Sequence, residues 1–99
     1  MRTALAAVTF VFASSAANAT AMLCKNPSRE YAASYSEDSK KFVVDDTQYT
    51  VKAVEDNSAR YVVSGHTLKD GPDFRAEFRP KKRIEFFEND QLFQTDRCR

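Results

Sequence analysis

This sequence has no long hydrophobic run, almost no net charge, one histidine and no tryptophan. Its mainly apolar stretch, Ala4 to Ala13, is about half the roughly twenty residues that a membrane-spanning helix needs. Lys and Arg total 15 against 14 Asp and Glu, and taking away residues 1–19 with Arg2 leaves 14 of each. That balance excludes a global field for nucleic acid or for an anionic membrane. A sustained 3.6-residue period is missing after residue 19, as are linkers, internal repeats and low-complexity tracts. One domain without long helices is therefore expected.

What is present at the start reads as an export signal. Met1-Arg2-Thr3 carries one positive charge, the apolar run follows, and Ala17-Asn18-Ala19 supplies the small residues read before a signal-peptidase cut. Residues 1–19 are expected to be a signal peptide and 20–99 a single small β domain. Ala19-Thr20-Ala21 offers a second cut. Leu23 before Cys24 does not suit lipid attachment, so a periplasmic or secreted product with no stable membrane anchor after cleavage is expected.

A chain of about eighty residues buries little of its unfolded surface, and folding is marginal without a staple. Cys24 near the mature start and Cys98 one residue from the end are the two cysteines, and an oxidising compartment would join them. The rest of the pattern has a period of two. Tyr31, Ala33 and Tyr35 alternate with polar neighbours, as do Tyr49, Val51 and Ala53, then Phe74, Ala76 and Phe78, then Ile84 and Phe86. Phe42-Val43-Val44 and Arg60 to Ser64 are further strand runs, and Gln91 to Arg97 closes the series. Turn formers separate them, among them Asp45-Asp46-Thr47, Asp56-Asn57-Ser58 and Asn89-Asp90, the last suited to a two-residue turn with positive φ. An all-β antiparallel meander of six to seven strands, closing into a small barrel or sandwich with one disulfide, is the expected fold. Ser28 to Ser36 has a short helix as its alternative. Tyr49, Val51, Phe74, Phe78, Ile84 and Phe86 are expected in the core.

Chemistry-bearing residues are few. Ser64 and His66 in Ser64-Gly65-His66 share a strand face, but the flanking residues lack a nucleophile-elbow pattern, so no catalytic residue is assigned. His66 with Asp70 and Asp73 is one imidazole and two carboxylates beside Lys69, a poor donor set for zinc, so neither a metal nor a cofactor is expected. Arg79, Lys81, Lys82 and Arg83 form the densest basic cluster, a candidate anion-binding hairpin with Phe87 nearby, unless it serves as a solvated turn. Glu77, Glu85 and Glu88 are expected on neighbouring strands, where they offset part of its field.

Ser64-Gly65 ending a middle strand, the early Cys24, the terminal Asp96-Arg97-Cys98 and the exported β-meander together resemble the small periplasmic and membrane-bound inhibitors of c-type lysozyme, the MliC/PliC family. The resemblance implies that Ser64, Gly65, His66 and Lys69 contact a partner, with Ser64 and a later lysine, loosely Lys69, engaging the lysozyme carboxylates. The tyrosine, tryptophan and Lys-Gly of that family's pattern have no counterpart here, where His66-Thr67-Leu68 follows the Ser-Gly pair. The expected function is an exported binding or interaction module without catalytic activity, acting on a protein partner in the cell envelope. Lysozyme inhibition, a structural envelope role and small-ligand binding are its alternatives.

Overall fold

Alternating sequences of this kind bury one face of each strand, and eight of them close on themselves here. The computed structural model describes residues 19–99; the proposed signal peptide, apart from Ala19, lies outside the described residues. The strands are β1 (Ala19–Lys25), β2 (Glu30–Ser36), β3 (Lys41–Val44), β4 (Thr47–Asp56), β5 (Tyr61–His66), β6 (Asp73–Arg79), β7 (Arg83–Glu88) and β8 (Gln91–Cys98). Each pairs antiparallel with the next, and β8 returns to β1 to close a barrel. The meander, the barrel alternative and the disulfide are thus as expected. The additional strand is β1, whose Ala-Thr-Ala-Met-Leu run has no clear alternation and pairs along its whole length with β2. The helical alternative for Ser28 to Ser36 is overturned: Glu30–Ser36 is strand, because Tyr31, Ala33 and Tyr35 all face inward, which a helix would not allow.

Short polar turns set the register. Asn89 (φ 53°) and Asp90 (φ 65°) both adopt the left-handed conformation that a two-residue hairpin turn requires. Asn57 Oδ1 accepts hydrogen bonds from the N–H groups of Ala59 and Arg60, both at 2.9 Å, and Asn26 Oδ1 does the same for Ser28 and Arg29.

Phe42 is the hub of the core. It stacks on Phe74 with ring centroids 4.8 Å apart and meets Tyr49 and Phe78 at 5.9 and 6.4 Å. Phe74, Phe78 and Ile84 are buried as expected, whereas Tyr49, Val51 and Phe86 are half-buried and pack against the core from its margin. Tyr49 and Phe86 border a recess with Gln94 and Asp96, so the inner face of β8 beside them is polar rather than apolar.

Closure is the thinnest part of the ladder. Only Cys24↔Cys98 and Lys25↔Arg97 pair between β1 and β8, supplemented by reciprocal backbone bonds between Leu23 and Arg99 of 3.0 and 2.9 Å. The Cys24–Cys98 disulfide sits on this two-pair seam and spans 74 residues of sequence. A covalent link there holds the strand pairing with the fewest partners, and it is compatible with an oxidising compartment.

Candidate functional site

Two surfaces concentrate chemistry. The first is the outer wall of β5 and β6. Tyr61, Val63 and Gly65 face inward on β5, so Ser64 and His66 face out. A bulge in β4 between Val51 and Ala53 makes Lys52 the extra residue. Gly65 permits this bend, because a Cβ there would lie 1.8 Å from the Thr50 carbonyl oxygen. As a result Lys52, Ser64, His66, Asp73, Arg75 and Phe87 line one depression of about 370 Å³.

Three polar pairs on this wall join residues directly opposite in register. His66 Nδ1 lies 2.5 Å from Asp73 Oδ1, Arg75 donates to Glu85 at 3.1 Å, and Arg83 donates to Glu77 at 3.1 Å. With Nδ1 turned to Asp73, the Nε2 edge of His66 is left for another contact. Ser64 and His66 share the face, yet no hydrogen bond joins them among the described residues. Asp70 is not part of the His66–Asp73 pair, and no group of three metal-ligating side chains occurs among the described residues. Lys69 sits exposed in the Thr67–Pro72 loop and does not line the Ser64 depression; Lys52 is the lysine that does.

The basic cluster is divided rather than joined. Arg79 donates to Asp56 Oδ1 (3.0 Å) and to the Asn57 carbonyl (2.8 Å), with its guanidinium 5.3 Å from the Tyr61 ring. Arg83 is taken by Glu77, a nearly buried carboxylate that also accepts the Lys81 N–H at 3.3 Å. Lys81 and Lys82 remain exposed.

The second surface is an aromatic mouth that sequence reading missed. Where β8 runs past the short seam, Phe93 and Gln94 face Thr47 and Tyr49 across a depression of about 380 Å³, walled also by Leu68, Pro72 and Phe86. A bulge between Phe86 and Phe87 makes Phe93 the unopposed residue of β8, and its ring lies 6.5 Å from that of Phe86. Leu68 is 59% exposed, Phe93 54% and Leu92 50%. Thr67 in the same wall buries its hydroxyl beneath Gly71 without a hydrogen-bond partner.

Tyr49, Phe86 and Gln94 also line a smaller recess of about 210 Å³ that holds polar groups. There the buried Asp96 accepts hydrogen bonds from the Tyr31 hydroxyl and from Gln94 Nε2, the latter at 2.8 Å. Burial, then the hydrogen bond and charge of Asp96, push the Tyr31 phenol well above its ordinary value. Tyr49 is raised by burial first, then by Asp96 and Asp45. The arrangement has apolar walls and a few convergent polar groups, the make-up of a small-ligand site. The only advance signal was the Gln94-x-Asp96 break in an otherwise apolar inward alternation.

No family model matches the chain, and no curated protein or solved structure is significantly similar to it.

Proposed function

We propose that this protein is an exported, non-catalytic binding module and that its ligand sits in the aromatic mouth. The supporting observation is that Leu68 and Phe93, each more than half exposed, flank a depression that shares Tyr49, Phe86 and Gln94 with the recess of Asp96 and Tyr31. Large apolar side chains gathered around a cavity mark contact surfaces more often than scattered ones do. The occupant we infer is a small amphiphile whose apolar body meets Tyr49, Leu68, Phe86 and Phe93 and whose N–H or O–H group meets the carboxylate end. Export rests on residues 1–19 and is consistent with the disulfide. A cut after Ala19 leaves the β1–β2 ladder from Thr20↔Tyr35 onward, while the second cut would remove three of its pairs.

Nile red, a neutral environment-sensitive dye, tests the mouth. The folded protein should raise and blue-shift its emission, and Phe93→Ser or Leu68→Ser should remove the response with little change in thermal midpoint, since both side chains are exposed. A folded protein that leaves the dye unchanged, or variants that respond as well as the parent, would refute the reading.

Lysozyme inhibition is the second reading, favoured by the Lys52 ammonium lining the same depression as the Ser64 hydroxyl. The resemblance implies a serine hydroxyl and the ammonium of a later lysine; Lys52 precedes Ser64 and would supply that ammonium from a different place in the chain. Cell-wall lysis by a c-type lysozyme should slow with excess protein and recover with Lys52→Ala; lysis at the uninhibited rate would discard it.

A further inference from the structure

Lys25, Arg97 and Arg83 stand directly opposite one another on β1, β8 and β7. Their chain neighbours Cys24 and Ile84 are fully buried, as is Asp96, so all three side chains share the outer face. Neighbouring strands are about 4.8 Å apart, and like charges placed opposite across a ladder repel. The row ends at Glu30 on β2 and Glu77 on β6, but Glu30 holds Arg99 at 2.8 Å and Glu77 holds Arg83. Lys25 and Arg97 have no ion-pair partner among the described residues.

The turn before β7 adds to the excess. The Cys98 N–H donates to the Lys82 carbonyl at 2.9 Å, which pins the Lys81-Lys82 turn against β8. Lys81, Lys82, Arg83 and Arg97 then line one depression of about 540 Å³ together with Thr95, whose hydroxyl adds an uncharged donor. In a mature chain with equal numbers of acidic and basic groups, this is a local surplus assembled by the fold from β1, β7, β8 and a turn.

We propose that this depression binds a compact polyanion of the phosphate-ester or diphosphate class. One oxyanion with two or more charges can meet the Arg97 fork, the lysine ammoniums and the Thr95 hydroxyl together, and it relieves the repulsion that the cross-strand row carries when empty. The proposal is independent of the aromatic mouth, which lies on the opposite part of β8.

Inorganic pyrophosphate is the probe, titrated calorimetrically into the oxidised mature protein at low ionic strength. Binding should weaken steeply with salt and fall about tenfold or more in Arg97→Gln and in Lys82→Gln, while Lys69→Gln, remote from the row, binds as the parent does. A second readout needs no ligand: Arg97→Gln should raise the thermal midpoint at low salt, and the gain should vanish when pyrophosphate is present. Vesicles distinguish the sources of phosphate. Sedimentation with phosphatidylglycerol but not phosphatidylcholine vesicles, reversed by pyrophosphate, assigns a lipid headgroup, whereas pyrophosphate binding without vesicle binding assigns a soluble ester. If neither pyrophosphate nor anionic vesicles bind, or if the Arg97 and Lys82 variants bind as well as Lys69→Gln, the proposal fails.

Discussion

Gly65→Ala should destabilise the barrel by about 1–2 kcal/mol net, against the general trend for such a change. Gly65 has no positive φ, so an alanine fits its backbone conformation and should by itself gain up to about 1 kcal/mol by restricting the unfolded chain. Space decides the opposite sign. The new Cβ would meet Thr50 O at 1.8 Å, Thr50 C at 2.9 Å and Val51 Cα at 3.0 Å, all backbone atoms that no rotamer change can move. To reach ordinary contact, β4 must withdraw by well over an ångström, and the Lys52 bulge is where it would give way. Overpacking of this kind costs about 1–3 kcal/mol and outweighs the entropic gain. Urea unfolding followed by fluorescence gives the midpoint. The slope should stay near that of the parent, because the surface exposed on unfolding barely changes. A midpoint equal to or above the parent's would refute the close approach and, with it, the reason Lys52 is brought beside Ser64.

Three further outcomes follow from burial and closure. Replacing both Cys24 and Cys98 by alanine should cost roughly 4–5 kcal/mol in the chain-entropy view, read as a large fall in thermal midpoint, because the link spans 74 residues across a two-pair seam; an unchanged midpoint would show that the seam holds without it. Phe78→Ala should cost about 3–5 kcal/mol and Phe86→Ala about 1–2 kcal/mol, since the first is buried and the second only half so; chemical denaturation of the pair would expose a wrong face assignment if the order reversed. Tyr31, Tyr49 and Tyr61 all have phenols raised above the ordinary 10.0, burial being the first cause in each. A raised folded value means that the stability these groups contribute is fully present below pH 10 and is lost as pH climbs through the folded values, so alkaline unfolding should accompany tyrosine ionisation at 295 nm. Ionisation of these three tyrosines near pH 10 in a still-folded barrel would contradict this.

Period-two alternation made most of the fold legible, since a strand with one buried face must write that face at every second residue. It worked for β2, β6 and β7, where Tyr31, Phe74 and Ile84 begin inward rows. It was weakest where burial comes from closure. β1 is read as a strand only once β2 lies along it, because Ala19, Ala21 and Leu23 are as apolar as the inward Met22. The helical alternative for Ser28 to Ser36 survived in sequence because Tyr31 and Tyr35 satisfy both periods, and only the inward Ala33 between them separates the two.

Sites were less legible, for a physical reason visible in four basic residues, Arg79, Arg83, Lys25 and Arg97. Charge that is contiguous in sequence, as in Arg79 to Arg83, is split by the fold, since a hairpin sends Arg79 to Asp56 and Arg83 to Glu77. Charge that is distant in sequence is gathered instead, since antiparallel register sets Lys25 against Arg97 and Arg97 against Arg83. Linear clustering therefore measures the wrong neighbourhood in a β-barrel, where the nearest residues on a face are the cross-strand partner and the residue two along. The same rule explains the aromatic mouth: Leu68, Phe86 and Phe93 lie in different segments and look like separate core or surface positions until β8 passes the end of its seam with β1. A search for function in such a chain is best made over register partners on the outer face, and on that measure the Lys25–Arg97–Arg83 row stands out because the ladder gives it no acidic residue in between.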